Sequence, residues 1–194
     1  MKKVILIDVD DVVCENHFLS LVNEFLVNSK KPVLTTLDGF PATYEDLIWD
    51  SVEEQQAFYD FYLSRNSYES CKPIDGSVEA IKELSLKNDV YFITSCIHNQ
   101  REREFSRQYA DKFNWILDRF PFLEPTRFIA SNKKHIFKAD VIIDDRLGNL
   151  QGDYKTKILF TSFHNKTISE GELEKTGAVR ANNWQEILDI IKRS

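Results

Sequence analysis

Val4-Ile5-Leu6-Ile7 is apolar on both faces of any strand it forms, and it stops abruptly at Asp8-Val9-Asp10. A strand that can leave neither face in water belongs in a sheet covered on both sides, as parallel sheets are. Similar short runs recur at Val90–Ile93, Arg127–Ala130, Val141–Ile143 and Ile158–Thr161. Amphipathic stretches separate them. Val78, Ile81 and Leu84 share one helix face after the turn Pro73-Ile74-Asp75-Gly76, and Phe105, Tyr109 and Phe113 share another. Trp184, Ile187, Leu188 and Ile191 fall at helical spacing further on, with Asn183 and Glu186 placed to form a capping box. This alternation specifies an open α/β sheet with right-handed crossovers.

Residues 15–71 break the alternation. Phe18, Leu21, Val22, Phe25 and Leu26 form a helical stripe, but no strand pattern follows. Lys31-Pro32 and Asp38-Gly39-Phe40-Pro41 interrupt the chain, and a second helix-rich stretch runs from about Tyr44 to Leu63. The expected organisation is an α/β core made of residues 1–14 and 72–194, with a small helical cap, 15–71, inserted after the first strand. Phe58, Tyr59, Phe61 and Tyr62 are expected in the core of that cap rather than as a stacking platform for a base.

At 194 residues the chain suits one well-cored domain with a modest insertion. Its formal net charge is −6 and its Lys and Arg are scattered, which argues against a surface for nucleic acid polymers. One local cationic pocket could still hold a mononucleotide. Cys14, Cys71 and Cys96 are odd in number with no close pair, so neither a disulfide framework nor a structural zinc site is expected. With no secretory signal and no apolar span of membrane length, a cytoplasmic protein is expected, as monomer or homodimer.

In open α/β sheets ligands bind beyond the carboxyl ends of the strands, and the chemically versatile residues here gather at those ends. Asp8 and Asp10 follow the first strand, Thr94-Ser95 the second and Asp144-Asp145 the fourth, with Lys134 shortly before the fourth. Spaced two apart, Asp8 and Asp10 share a face of an extended chain. Four carboxylates at buried strand ends are costly without a cation among them. Hard oxygen donors suit Mg²⁺, which in turn suits a phosphate. Each cluster also has a plainer explanation. Paired acids cap strands, Thr94-Ser95 could cap a helix beginning near Asn99, and one of Lys133-Lys134 is an ordinary surface residue. Their conjunction points to phosphoryl chemistry.

Asp8-Val9-Asp10, Thr94-Ser95, Lys134 and Asp144-Asp145 resemble, in order, the four motifs of the haloacid dehalogenase superfamily. The likeness is closer to the 5′(3′)-deoxyribonucleotidases. Asp8-Val9-Asp10-Asp11-Val12-Val13 is similar to their first motif and Phe92-Ile93-Thr94-Ser95 to their second. Lys134, followed ten residues later by Asp144-Asp145-Arg146, is similar to their third and fourth. Residues 73–80, 159–161 with His164-Asn165, and 183–189 resemble further family stretches. The chain departs from the family at Asp11, where Gly is usual, and at Cys96 and His98, where Pro and a phosphate-binding Lys are usual. Asn132 stands where a basic residue is expected.

The resemblance implies a Rossmann-like parallel core in strand order 3-2-1-4-5 and a Mg²⁺-dependent phosphomonoester hydrolase. It makes Asp8 the nucleophile that forms an aspartyl-phosphate, and Asp10 the proton donor and then base, its carbonyl oxygen serving the metal. Asp145 would bind the metal directly, and Asp144 directly or through water. Thr94, Ser95 and Lys134 would hold the phosphate, with His98 as a weaker contact. Phe18, Phe40, Thr43 and Tyr44 would face the substrate from the cap, and that substrate would be a (deoxy)nucleoside monophosphate. A phosphatase for another small phosphomonoester, such as a sugar phosphate, is the nearest alternative. A phospho-accepting signalling receiver is disfavoured by the order of the motifs, and a non-catalytic nucleotide-binding protein by their completeness.

Overall fold

All five expected runs become strands of one six-stranded parallel sheet. The computed structural model describes residues 2–15, 18–36, 49–95 and 105–194, the side chains of Phe18 and Phe105 excepted. The strands are β1 (Val4–Ile7), β2 (Asp89–Thr94), β3 (Phe128–Ala130), β4 (Ala139–Asp144), β5 (Tyr154–Phe160) and β6 (Ala178–Ala181). Every pairing is parallel, in the order β3-β2-β1-β4-β5-β6. The expected order 3-2-1-4-5 holds, extended at one edge. The helices are α1 (Phe18–Asn28), α2 (Val52–Leu63), α3 (Ser77–Ser85), α4 (Phe105–Arg119), α5 (Glu170–Thr176) and α6 (Trp184–Arg193).

Both faces of the sheet are covered, as the uninterrupted apolar runs require. Ile5 and Ile7 of β1 pack with Ile81 of α3, Trp115 and Ile116 of α4, and Trp184 and Ile187 of α6. Leu6 faces the other way, into Ile142, Leu159, Leu150 and Leu173 of α5. β6 and α5 had no counterpart among the expected elements. β6 is an edge strand whose Val179 is exposed, so it lacks a continuous apolar run. α5 buries Leu173 alone, although Ser169 and Glu172 form a capping box that marks its start. β5 begins earlier than the run from Ile158 suggests. Its first half alternates, with Lys155 turned out to Asp140 at 2.7 Å. At α6, Asn183 Oδ1 accepts from the Glu186 N–H at 2.9 Å, while Glu186 reaches back to the Asn182 N–H at 2.8 Å.

The face of α4 that turns inward is offset from the expected Phe105, Tyr109, Phe113 stripe. Tyr109 stays 39% exposed against Phe128, and the buried positions are Gln108, Lys112, Trp115 and Ile116. Between β1 and α3 there is no strand among the described residues. α1 and α2 pack on each other through their own cluster of Val22, Phe25, Phe58 and Tyr62, with Trp49 stacked on Phe58. Phe58, Tyr59 and Tyr62 are core residues, as expected. α2 starts at Val52 under a Ser51 cap, and residues 37–48, which include the expected start near Tyr44, lie outside the described residues. No helix among the described residues is long and apolar enough to cross a membrane.

Cys14 and Cys71 form a disulfide across 57 residues of sequence, with their Cα atoms 6.3 Å apart, against the expectation of unpaired cysteines. Separation along the chain concealed the pair. Cys14 bridges Pro73 in the backbone, so the fold returns the chain to the place it left. Closing a loop of this length stabilises by about 2–4 kcal/mol, or roughly 5–15 °C in Tm for a chain of this size. Dithiothreitol should lower the melting temperature of the wild type by that amount and leave Cys71→Ser unmoved. A wild-type melt insensitive to reductant would show that the bridge contributes nothing.

Candidate active site

Ile7 aligns with both Ile143 and Phe92, so Asp8, Asp144 and Thr94 stand together at the carboxyl ends of three neighbouring strands. The Asp8 N–H still donates to Ile143 O at 2.9 Å, and there the strand ends. The backbone then turns on Val9, whose carbonyl accepts from Val12, Val13 and Cys14. Val9, Val12 and Val13 are fully buried, and Trp184 Nε1 donates to Val12 O at 3.0 Å, tying the turn to α6. Asp11 sits at φ 57°, in the left-handed region where Gly is at ease and Asp is tolerated. That conformation explains why Gly is usual here in the resembling family.

Lys134 begins a 3-10 turn, Lys134–Ile136, held by Tyr154 Oη donating to Lys134 O at 2.6 Å. Its side chain is 1% exposed and its Nζ lies 2.7 Å from Asp144 Oδ2 and 2.8 Å from Asp8 Oδ1. Asp144 Oδ1 accepts from Arg146 N and Asn149 Nδ2, both at 2.9 Å. Asp145 Oδ2 meets His164 Nε2 at 2.5 Å, and Asn165 Nδ2 donates to Asp145 O at 2.8 Å. Asp10 stands at the rim with its side chain 43% exposed. Tyr68 Oη donates to its Oδ1 and Lys112 Nζ to its Oδ2, each at 2.5 Å. Lys112 also donates to Thr94 Oγ1 at 2.9 Å.

The charges do not balance. Burial pushes the Asp8 carboxyl above its ordinary range; Lys134 opposes this, while the charges of Asp144 and Asp10 add to it. Asp144 is raised by burial too, against Lys134 and with Asp145 adding to the rise. Asp145 is raised for the same first reason, against its bond to His164. Burial alone would draw Lys134 down, but the charges of Asp144 and Asp8 outweigh it and hold the ammonium above its usual value. One ammonium cannot neutralise three carboxylates.

Asp8, Asp144 and Asp145 each present an oxygen within 4.8 Å of the others, the geometry of a cation site. Asp11, Asp145 and His164 form a second such group, which shares Asp145 and so belongs to the same site. Asp8 Oδ1 is buried and accepts no well-aligned hydrogen bond despite its ion pair to Lys134. A hard divalent cation fits this set of oxygens.

A family model described as 5′ nucleotidase, deoxy (Pyrimidine), cytosolic type C protein matches residues 2–194. The chain belongs to this family. It is similar to the 5′(3′)-deoxyribonucleotidase of Bacillus subtilis (strain 168), 29% identical over 191 residues, which cover 96% of this chain and 97% of that one. Among solved structures, a putative phosphatase from Clostridium difficile matches at a TM-score of 0.63 and 16% identity, over 97% of this chain and 98% of that one. A haloacid dehalogenase-like protein from Agrobacterium tumefaciens matches at 0.60 and 15%, over 100% and 99%. At such identities the two structures speak for the fold, a haloacid dehalogenase-type core. This nucleotidase is a phosphoric monoester hydrolase.

Asp8, Asp10, Thr94, Lys134, Asp144 and Asp145 converge at the carboxyl ends of the central strands of the nucleotidase sheet, with Ser95 exposed beside them. His98, Phe40, Thr43 and Tyr44 lie outside the described residues, as does the side chain of Phe18. Sequence reasoning missed Lys112, Tyr68 and Asn149, and saw His164 only as part of a similar stretch. Lys112 did leave a signal, since it occupies the place of an apolar residue on the stripe that continues to Trp115 and Ile116.

The raised carboxyl of Asp8 has a thermodynamic consequence. Native Asp8 keeps its proton to higher pH than the unfolded chain, whose value is 3.8. Its contribution to stability is therefore full below that value and is lost as pH rises through the folded one. Asn at this position never ionises. With divalent ions chelated, Asp8→Asn should gain on the wild type in melting temperature as pH rises above about 4, and a saturating divalent ion should narrow the gap. A gap that stays flat with pH would rule out buried charge as its source.

Proposed function

We propose that this nucleotidase hydrolyses (deoxy)nucleoside monophosphates through an aspartyl-phosphate on Asp8, with Mg²⁺ as its cofactor. The observation that carries the reading is the buried Asp8 oxygen at a strand end, without an aligned donor and grouped with Asp144, Asp145 and Lys134. Asp8 attacks phosphorus while the ester bond to the sugar oxygen breaks, and that oxygen takes a proton from Asp10. Water then attacks the acyl phosphate and returns a proton to Asp10, releasing orthophosphate and the Asp8 carboxylate.

Asp8, Asp145, Asp144 and the Asp10 carbonyl would hold Mg²⁺, which when bound neutralises charge on the phosphoryl oxygens. Lys134 donates one hydrogen bond to Asp144 and pairs in charge with Asp8, and an ammonium has three donors, so it can turn another to phosphate. Ser95 and Thr94 at the end of β2 would add donors beside it. Residues 15–71 would act as a cap that excludes water and reads the nucleoside, with Phe18, Phe40, Thr43 and Tyr44 as its contacts and His98 near the phosphate. The separate core of α1 and α2 supports that role. The similarity to the 5′(3′)-deoxyribonucleotidase of Bacillus subtilis supports a deoxynucleotide substrate.

A phosphate-release panel with Mg²⁺ tests the reading, using deoxy- and ribonucleoside 5′- and 3′-monophosphates beside sugar phosphates. Turnover should favour nucleotides and vanish in chelator. Asp8→Asn should keep the fold and lower kcat by at least about 10³-fold. Turnover of sugar phosphates alone would overturn the substrate assignment, and a nearly active Asp8→Asn would remove the nucleophile.

A further inference from the structure

We propose that Lys112 and Tyr68 are positioning residues for Asp10, a two-sided clamp that fixes the carboxylate serving the leaving group. This rests on the reading of Asp10 as the proton carrier. The clamp is built from three separate parts of the chain. Asp10 follows β1, Tyr68 lies in the segment between α2 and α3, and Lys112 is on α4. Tyr68 Oη donates to Asp10 Oδ1 and Lys112 Nζ to Asp10 Oδ2, both at 2.5 Å. The two clamping residues are buried and support each other, with the Lys112 ammonium 5.6 Å from the centre of the Tyr68 ring. Trp115, one turn along α4, packs against Tyr68 and donates from Nε1 to Cys71 O at 3.0 Å.

A cation so close to Thr94 could instead be a phosphate ligand. The donor arithmetic favours the clamp. An ammonium has three donors, and Lys112 directs them at Asp10 Oδ2, Thr94 Oγ1 and Ser95 O. Each of the three has an acceptor in the protein, whereas Lys134 hydrogen-bonds to Asp144 and meets Asp8 only as an ion pair. Each Asp10 oxygen takes one of these two donors, and a carboxylate oxygen can accept about two hydrogen bonds. What the clamp removes is rotation of a half-exposed side chain, and a proton carrier gains its advantage through fixed distance to the reacting oxygen.

Leaving-group dependence separates these roles. A nucleoside alkoxide needs a proton as it departs, whereas p-nitrophenolate leaves without one. Single-turnover release from a deoxynucleoside 5′-monophosphate should slow at least about tenfold in Lys112→Met, and from p-nitrophenyl phosphate less than about threefold. Tyr68→Phe should shift the same way by less, and carries the test alone should Lys112→Met fail to fold. Lys112→Arg should recover part of the nucleotide rate, and inhibition by inorganic phosphate should stay unchanged. Equal slowing on both substrates, or weakened inhibition by phosphate, would overturn the clamp. Asp10→Asn is the control for the underlying reading. If it shows no leaving-group dependence, the proton carrier has been misassigned. If it does and the clamp variants do not, the clamp alone fails.

Discussion

One ammonium, Lys134 Nζ, is shared by carboxylates from two neighbouring strands, and the site depends on its being too few. The register of β1 and β4 sets Asp8 and Asp144 side by side, and Asp145 joins them at the next residue. Each sits where water is largely excluded, so repulsion among the acids is little screened. Lys134 relieves part of that cost and orders the oxygens, but a negative excess remains on the trio. Replacing such a cluster with apolar residues would often stabilise a fold. Its presence at strand ends is therefore a functional concession, and the residual negative charge suits the site to a divalent cation.

The polar cluster is held by apolar anchors that take no part in it. Val9, Val12 and Val13 bury the turn after β1, and Trp184 holds its carbonyl from α6. Tyr154, on the opposite face of the sheet, clips the turn that carries Lys134. Asn165 holds the Asp145 carbonyl while itself gripped by Arg180 from β6. Rigid placement of a few charged groups thus draws on both sheet faces and on the edge strand. This is the support that electrostatic stabilisation of a phosphoryl group requires, because donors that must reorganise lose most of their benefit.

The central strands were legible because burial on both faces leaves an unbroken apolar run, as in Val141–Ile143. β6 was not, because an edge strand such as Ala178–Ala181 buries only part of its length. The acids of the site were legible for a related reason. Asp8, Asp144 and Asp145 interrupt runs that have every physical reason to continue. Tyr68 interrupts nothing conspicuous, being an aromatic in an aromatic-rich segment, and the break that Lys112 makes in a buried stripe is masked by the other charges of its helix. Cys14 and Cys71 meet only through the return path of the chain between β1 and α3. Contacts created by tertiary closure carry no local pattern, so they escape a reading built on periodicity and strand ends.

The two acids of Asp8-Val9-Asp10 differ in kind once their partners are compared. Asp8 takes its backbone partner from β4 and its cation from the turn that leads into β4. Asp10 takes two side-chain partners from outside the sheet, Tyr68 on the way back from α2 and Lys112 on α4. Asp8 is buried and fixed by the core, which suits the nucleophile role proposed for it. Asp10 is half exposed at the rim, which suits its proposed place beside the leaving group. Because Tyr68 belongs to the segment between α2 and α3, its position bears on Asp10 while leaving the partners of Asp8 untouched. A motif of two closely spaced acids is thereby divided between the centre of the sheet and the segment that precedes α3.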